Sequence, residues 1–245
     1  MGYSAKQIQD FYYAAAFGDI PGFSDTILSG TNPSIGPTDE TLWDAGGTYV
    51  FPSSPDTVEI VSDEPNDNIA GTGARIVVID GLNELGLRIT ETIFMNGTTP
   101  VTTINNFLFI QNIFAPIAGA SLRNEGTIAA THTTSGGLLS TILPLIGASQ
   151  NSMMLVPADK QAVLVNVWVT SAKGARVFPK FQFTLPGTNG IVTSLFTDIY
   201  QTAFAFPDFR SGRTFDPLTR IAPVASTETG TSRGSVGLHY IFKDL

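Results

Sequence analysis

Apolar and polar side chains alternate along residues 162–170, with Val163, Val165, Val167 and Val169 on one face of an extended chain and Leu164, Asn166, Trp168 and Thr170 on the other. Ser171-Ala172-Lys173-Gly174 supplies a turn. Beyond it, Val177, Phe181, Phe183 and Leu185 alternate with Phe178, Lys180, Gln182 and Thr184, so the two runs read as a hairpin. Upstream, residues 57–62 form a strand candidate, and 75–80 and 87–95 flank Gly81-Leu82-Asn83-Glu84-Leu85-Gly86 as a second hairpin. In its later strand Leu87, Ile89, Ile93 and Met95 share a face. Residues 101–114 make another extended, aromatic-rich run, 121–146 are mixed, and further strands are expected over 191–196, 201–206 and 235–242. No helices alternate with these runs. The pattern therefore predicts an all-β chain, an antiparallel β-sandwich or jelly roll.

Only residues 4–17 carry a helical period. Ser4 and Gln7 have capping-box spacing, Ile8, Phe11, Tyr12, Ala15 and Ala16 fall on one face, and Gly18 can end the turn. Residues 20–55, rich in Pro, Gly, Ser and Asp, show neither period and read as an extended arm crossing a surface. The expected organisation is an N-terminal arm over 1–55 with a short helix at about 5–17, then a single β-sandwich over 56–245. A split into two β subdomains near 116–135 is the alternative.

Composition acts mainly by exclusion. With no cysteine and only His132 and His239 among 245 residues, disulfides and thiolate metal sites are absent and imidazole chemistry has two candidates. Thirteen basic against 21 acidic residues, net charge −8, leave no Lys/Arg cluster to neutralise phosphates, so no nucleic-acid partner is expected. No run approaches the ~20 apolar residues of a membrane span, and the first residues lack the pattern of a signal peptide. A charged fraction of 14% leaves much of the surface to Thr, Ser, Asn and Gly, which suits burial against partners.

Candidate chemistry is sparse. Gly230-Thr231-Ser232-Arg233-Gly234 matches the nucleophile-elbow spacing, but a polar run precedes it and a β pattern follows, where that motif needs a strand and then a helix; it reads as a turn. His239 alternates along a strand and reads as a sheet side chain, and His132 as an exposed one. Asp63, Glu64, Asn66, Asp67 and Asn68 present enough oxygens for calcium without EF-hand spacing, so a solvated turn is expected. No catalytic residue, cofactor or metal emerges, and an enzyme is not expected. Trp168 reads as core packing and Trp43, in the arm, as an interface anchor.

Three stretches carry a family resemblance. Asp19-Ile20-Pro21-Gly22-Phe23-Ser24 followed by Thr41-Leu42-Trp43-Asp44-Ala45-Gly46-Gly47-Thr48-Tyr49-Val50-Phe51-Pro52 is similar to the opening of tailed-bacteriophage head-decoration proteins. The run from Asn66 through Leu82 and Asn96-Gly97-Thr98-Thr99-Pro100-Val101 resembles their first hairpin, and Ser235-Val236-Gly237-Leu238-His239-Tyr240-Ile241-Phe242 their closing strand. The resemblance is strongest over 19–113. It implies a β-sandwich, a homotrimer, and a seat on the capsid exterior against the major capsid protein, with the arm reaching neighbours and no catalytic residues. The expectation is a capsid decoration or cement protein docking through Ile8, Phe11, Tyr12 and Trp43. A tail, neck or fibre-base protein and a host-glycan-binding module are the alternatives.

Overall fold

A computed structural model describes residues 14–15, 18–172, 176–195 and 208–245. Every named element among them is a strand. In chain order these are β1 (Phe23–Ile35), β2 (Glu40–Thr41), β3 (Val58–Ser62), β4 (Ala74–Leu82), β5 (Arg88–Phe94), β6 (Val101–Thr102), β7 (Phe109–Ala118) and β8 (Ile128–His132). They continue with β9 (Leu138–Ile142), β10 (Met154–Leu155), β11 (Lys160–Ser171), β12 (Val177–Thr184), β13 (Ile191–Leu195), β14 (Asp208–Phe215), β15 (Arg220–Thr227) and β16 (Ser232–Asp244).

The strands gather about two cores. The first lies between the sheet β1-β16-β11-β14 and the sheet β10-β15-β12-β13, to which β2 adds on β15. Its centre holds Leu28, Leu164, Val167, Phe181, Phe215, Leu238 and Tyr240. The second lies between β6-β3-β8-β9 and β5-β4-β7 and holds Ile60, Val77, Ile79, Phe107, Ile110, Ile113 and Ile128. All pairings are antiparallel. The chain thus starts the first sandwich, leaves after β2 to build the whole second one, and returns at β10 to finish the first.

The supposed arm therefore contributes two strands to the first core. β1 runs antiparallel to the last strand from Phe23 opposite Lys243 to Ile35 opposite Ser232, so both ends of the chain close one sheet. The period was hidden because Ser29, Thr31 and Pro33 alternate with Leu28, Gly30 and Asn32, and of these three core-facing residues only leucine is a large apolar one. The helix expected at 5–17 lies outside the described residues except Ala14 and Ala15. These end at Gly18, φ 74°, where the N–H groups of Gly18 and Asp19 return to the carbonyls of Ala15 and Ala14. A single sandwich over 56–245 is not what forms. Nor does a break near 116–135 match the cores, since β7 at its start, β8 within it and β9 beyond it all enclose the second. The strand expected at 201–206 lies outside the described residues.

The expected hairpin of 162–170 with 177–185 is corrected too. β11 pairs with β16 and β14, whereas β12 pairs with β15 and β13 in the facing sheet. Two strands that each carry a strongly apolar face can bury both faces against each other only by lying in opposite layers. β11 also carries a bulge at Val165, between Leu164 opposite Tyr240 and Asn166 opposite His239. The extra residue switches the alternation, so that Ala162 and Leu164 share the buried face with Val167 and Val169. By contrast, the hairpin of β4 and β5 forms as read. Its loop closes on Asn83, whose side-chain oxygen accepts from the N–H groups of Leu85 and Leu87, both at 3.0 Å.

Trp168 lies on the outer face of its sheet rather than in the core. Its indole covers Gly237 directly opposite, where a Cβ would come within 1.8 Å of the ring. The glycine is what lets the ring lie flat on the backbone. Gly237→Ala is expected to lift Trp168 off the sheet, costing about 1–3 kcal/mol in denaturant unfolding and shifting the tryptophan emission to the red.

Candidate interaction surface

A cluster of Trp43, Tyr49, Leu82, Phe109, Met153 and Leu155 joins the two cores. Tyr49 meets Trp43 and Phe51 edge-on at 5.1 and 5.0 Å, and Phe51 stacks on Phe109 at 5.7 Å. Trp43 is 4% exposed and its indole N–H donates to the Gly46 carbonyl at 2.7 Å. It is thus an internal anchor between halves of one chain, which corrects its assignment as a docking residue. Ile8, Phe11 and Tyr12 lie outside the described residues. Composition alone marked Trp43 as special without distinguishing a junction inside the chain from one between chains.

Beside the junction sits Asp44, buried, with Oδ2 accepting the Gln150 N–H at 2.8 Å. Burial raises its carboxyl from the ordinary 3.8 to about 6, against the opposing pull of the Gln150 N–H and the Arg233 charge. The native state therefore holds this proton more tightly than the unfolded chain does.

The polar turn after β3 is a carboxylate cradle built from backbone donors. Asp67 is fully buried. Its Oδ1 accepts the N–H groups of Ala74 and Glu125 at 2.7 and 2.9 Å; its Oδ2 accepts the Ser62 hydroxyl and the Gly126 N–H at 2.6 and 2.9 Å. A Cβ on Gly73 would strike Oδ1, so the glycine is what admits the carboxylate. Asp63 accepts the Thr127 N–H, and Glu125 is held below its ordinary range by Ser121, Thr72 and Asn66, which all donate to it. Among the described residues no group of three or more acidic or histidine side chains is placed to hold a metal ion. Of the five residues expected in a solvated turn, Asp63 and Asn66 are exposed, whereas Asp67 is buried and, with Asp63, holds the backbone of residues 125–127.

That loop ends the second sandwich in an apolar tip. Leu122 is 82% exposed at φ 60° and Leu145, on the neighbouring loop, 53% exposed at φ 65°, with Ile146 beside it. Branched apolar residues rarely adopt this left-handed conformation, which costs about 1–3 kcal/mol. Buried Asn124 holds both loops in place: its amide donates to the carbonyls of Gly126 and Leu143, and its oxygen accepts the Gly147 N–H. The Arg123 guanidinium closes the pair on the Leu145 carbonyl at 3.0 Å. The outer face of the β5-β4-β7 sheet continues the apolar surface in one cross-strand row, Phe94, Ile76 and Ile117. Sequence reading missed this surface because exposed leucines carry no periodic signal, and positive φ at a leucine leaves none at all.

The remaining candidates are structural. Ser232 donates its hydroxyl to the Ala172 carbonyl at 3.2 Å, in the strand after a turn closed by Gly230. His132 is buried, not exposed, on the inward face of β8 with Nε2 3.2 Å from the Phe107 carbonyl. Its neighbours Ile128 and Ala130 set that face, and the Thr-rich context concealed it. His239 sits on β16 with Nε2 3.3 Å from Asp25 Oδ2. No helix among the described residues is long and apolar enough to cross a membrane.

No protein-family model matches the sequence, and no curated protein matches it. Among solved structures the chain is similar to that of the infectious bursal disease virus Gx strain, at 11% identity and a TM-score of 0.28 over 91% of this chain and 72% of that one. It is also similar to the infectious bursal virus derived T=1 particles, at 11% identity and a TM-score of 0.24 over 91% and 74%. Likeness at this level carries no argument about site or activity.

Two outcomes follow from the buried carboxylates. Asp67→Ala leaves three N–H groups, two of them buried, and a hydroxyl without their acceptor, and should cost about 3 kcal/mol or more in urea unfolding, with EDTA leaving the wild-type midpoint unchanged. For Asp44, stability is full below the unfolded value of 3.8 and is lost as pH rises through about 6. Thermal unfolding between pH 4 and 7 should show that loss, and Asp44→Asn, which keeps an acceptor for Gln150, should flatten it.

Proposed function

We propose that this is a non-catalytic structural protein of a virion that decorates a tailed-phage capsid lattice. The observation that carries the reading is the strand order of the first core. Counted along the chain as eight strands, with β2 and the inserted sandwich set aside, its sheets run 1-8-3-6 and 2-7-4-5. That interleaving is what two Greek keys rolled together produce, the jelly roll found in capsid and lectin domains. Fold alone does not assign function. The resemblance of residues 19–113 to head-decoration proteins supplies the virion context, and the apolar tip supplies a surface for a protein partner.

In this reading the major capsid protein is the partner, the protein sits on the capsid exterior, and the contacts repeat across a symmetric lattice. Modest contacts then add through avidity. Docking runs through Leu122, Leu145 and Ile146, since Trp43 is committed to the protein's own junction. Purified protein incubated with capsids lacking it should sediment with them at saturable, symmetric occupancy. Density confined to tails would instead make it a tail or neck component. Leu122→Asn with Leu145→Asn relieves the strained backbone, since asparagine tolerates positive φ. The pair should keep or raise the unfolding midpoint while reducing capsid occupancy by about tenfold or more. Unchanged occupancy would remove the tip from the docking surface.

A further inference from the structure

A groove of about 440 Å³ runs along the junction between Phe51 and the turn that follows β12, walled by Leu108, Leu155, Leu185 and Leu218. It opens into a second cleft of about 120 Å³, and the two share Phe51, Thr184 and Arg220. Arg220 stands where they meet. Pairing of β15 with β10 and β12 sets it beside Leu155 and Thr184.

Its charge has no counterpart. Arg88 pairs with Asp80, Lys160 with Asp244, Lys180 with Asp39 and Arg176 with Glu228. Arg220 instead makes one bond, to the Pro52 carbonyl at 3.3 Å, and lies 5.9 Å from the Phe51 ring centre. Among the described residues no carboxylate comes within ion-pair distance of it. Arg75 and Arg123 likewise bond backbone carbonyls rather than carboxylates, but Arg220 does so in the wall of a groove, where its remaining donors can meet a ligand. A guanidinium offers five N–H donors in a planar fork that matches the two oxygens of a carboxylate. The leucine walls beside it favour an aliphatic group, and the volume is that of a small-molecule site.

We propose that this groove binds an amphiphilic monocarboxylate, its carboxylate on Arg220 and its aliphatic part along Leu155, Leu185 and Leu218. The assignment is independent of the capsid reading. Octanoate tests it, titrated into methyl-labelled protein with 1-octanol as the uncharged control. Octanoate should shift the methyls of Leu155, Leu185 and Leu218 saturably and bind about tenfold tighter than octanol. Arg220→Gln should reduce octanoate to the level of octanol. Leu185→Glu, at an exposed position that leaves the fold alone, should do the same by repulsion. N-acetyl-leucine run alongside separates the sources: tighter binding than octanoate points to a carboxylate of a protein chain, weaker binding to a free fatty acid. Equal affinity of octanoate and octanol for the wild type, shifts confined to other methyls, or no binding by either overturns the proposal.

Discussion

The antiparallel pairing of the first strand with the last is the constraint from which the rest of the architecture follows. β16 lies between β1 and β11, so the sheet that begins the first core is incomplete until the final residues arrive. Such a contact spans nearly the whole chain, and non-local pairing of this kind makes for slow, cooperative folding. It also explains why a complete second sandwich can be inserted. Once β1 and β16 are joined, the excursion between β2 and β10 is one long loop whose closure entropy rises only slowly with its length. The bridge between Trp43 and Asn151 pins the base of that loop.

The junction has to be rigid for the inserted sandwich to be more than a tethered neighbour. Trp43, Tyr49, Phe51 and Phe109 provide this through successive edge-on and stacked contacts, which fix relative ring orientation as well as burying area. β4 then acts as a spacer. Leu82 at its end lies in the junction, while Ala74 at its start is bonded to Asp67 in the turn beneath the tip. At ~3.3 Å per residue, the eight steps between them hold the tip roughly 25 Å from the junction. The groove at Arg220 and the leucines of the tip are consequently separate surfaces on one frame.

The fold was legible where a local pattern determines it. The hairpin of β4 and β5 depends on an alternating strand and on Asn83, both visible in the sequence, and the all-β class rests on many such runs. It was illegible where partners are remote. Nothing near Leu28 says that its strand lies beside Leu238, and nothing between 171 and 177 distinguishes a hairpin from a crossing to the facing sheet. The bulge at Val165 shows a subtler limit: four valines at period two look like one face, yet a single extra residue divides them. For the candidate surface, Asp67 was noticed for its oxygens, but its role came from four donors of which three are backbone groups that any residue would supply.

Strain at the tip and burial beneath it belong together. A leucine at positive φ would relax if its loop were free, so its persistence requires that the loop's course be determined elsewhere. Asn124 and Asp67 do this from inside, satisfying backbone groups of the loops around both leucines and leaving few alternative paths for the chain. Energy spent on this arrangement brings the isolated protein no buried apolar area, because the side chains it directs point into solvent. Covering them would return apolar area at about 25 cal/mol per Å² without any further ordering of the loops. A preformed apolar tip of this kind carries little further ordering cost into any contact that covers it.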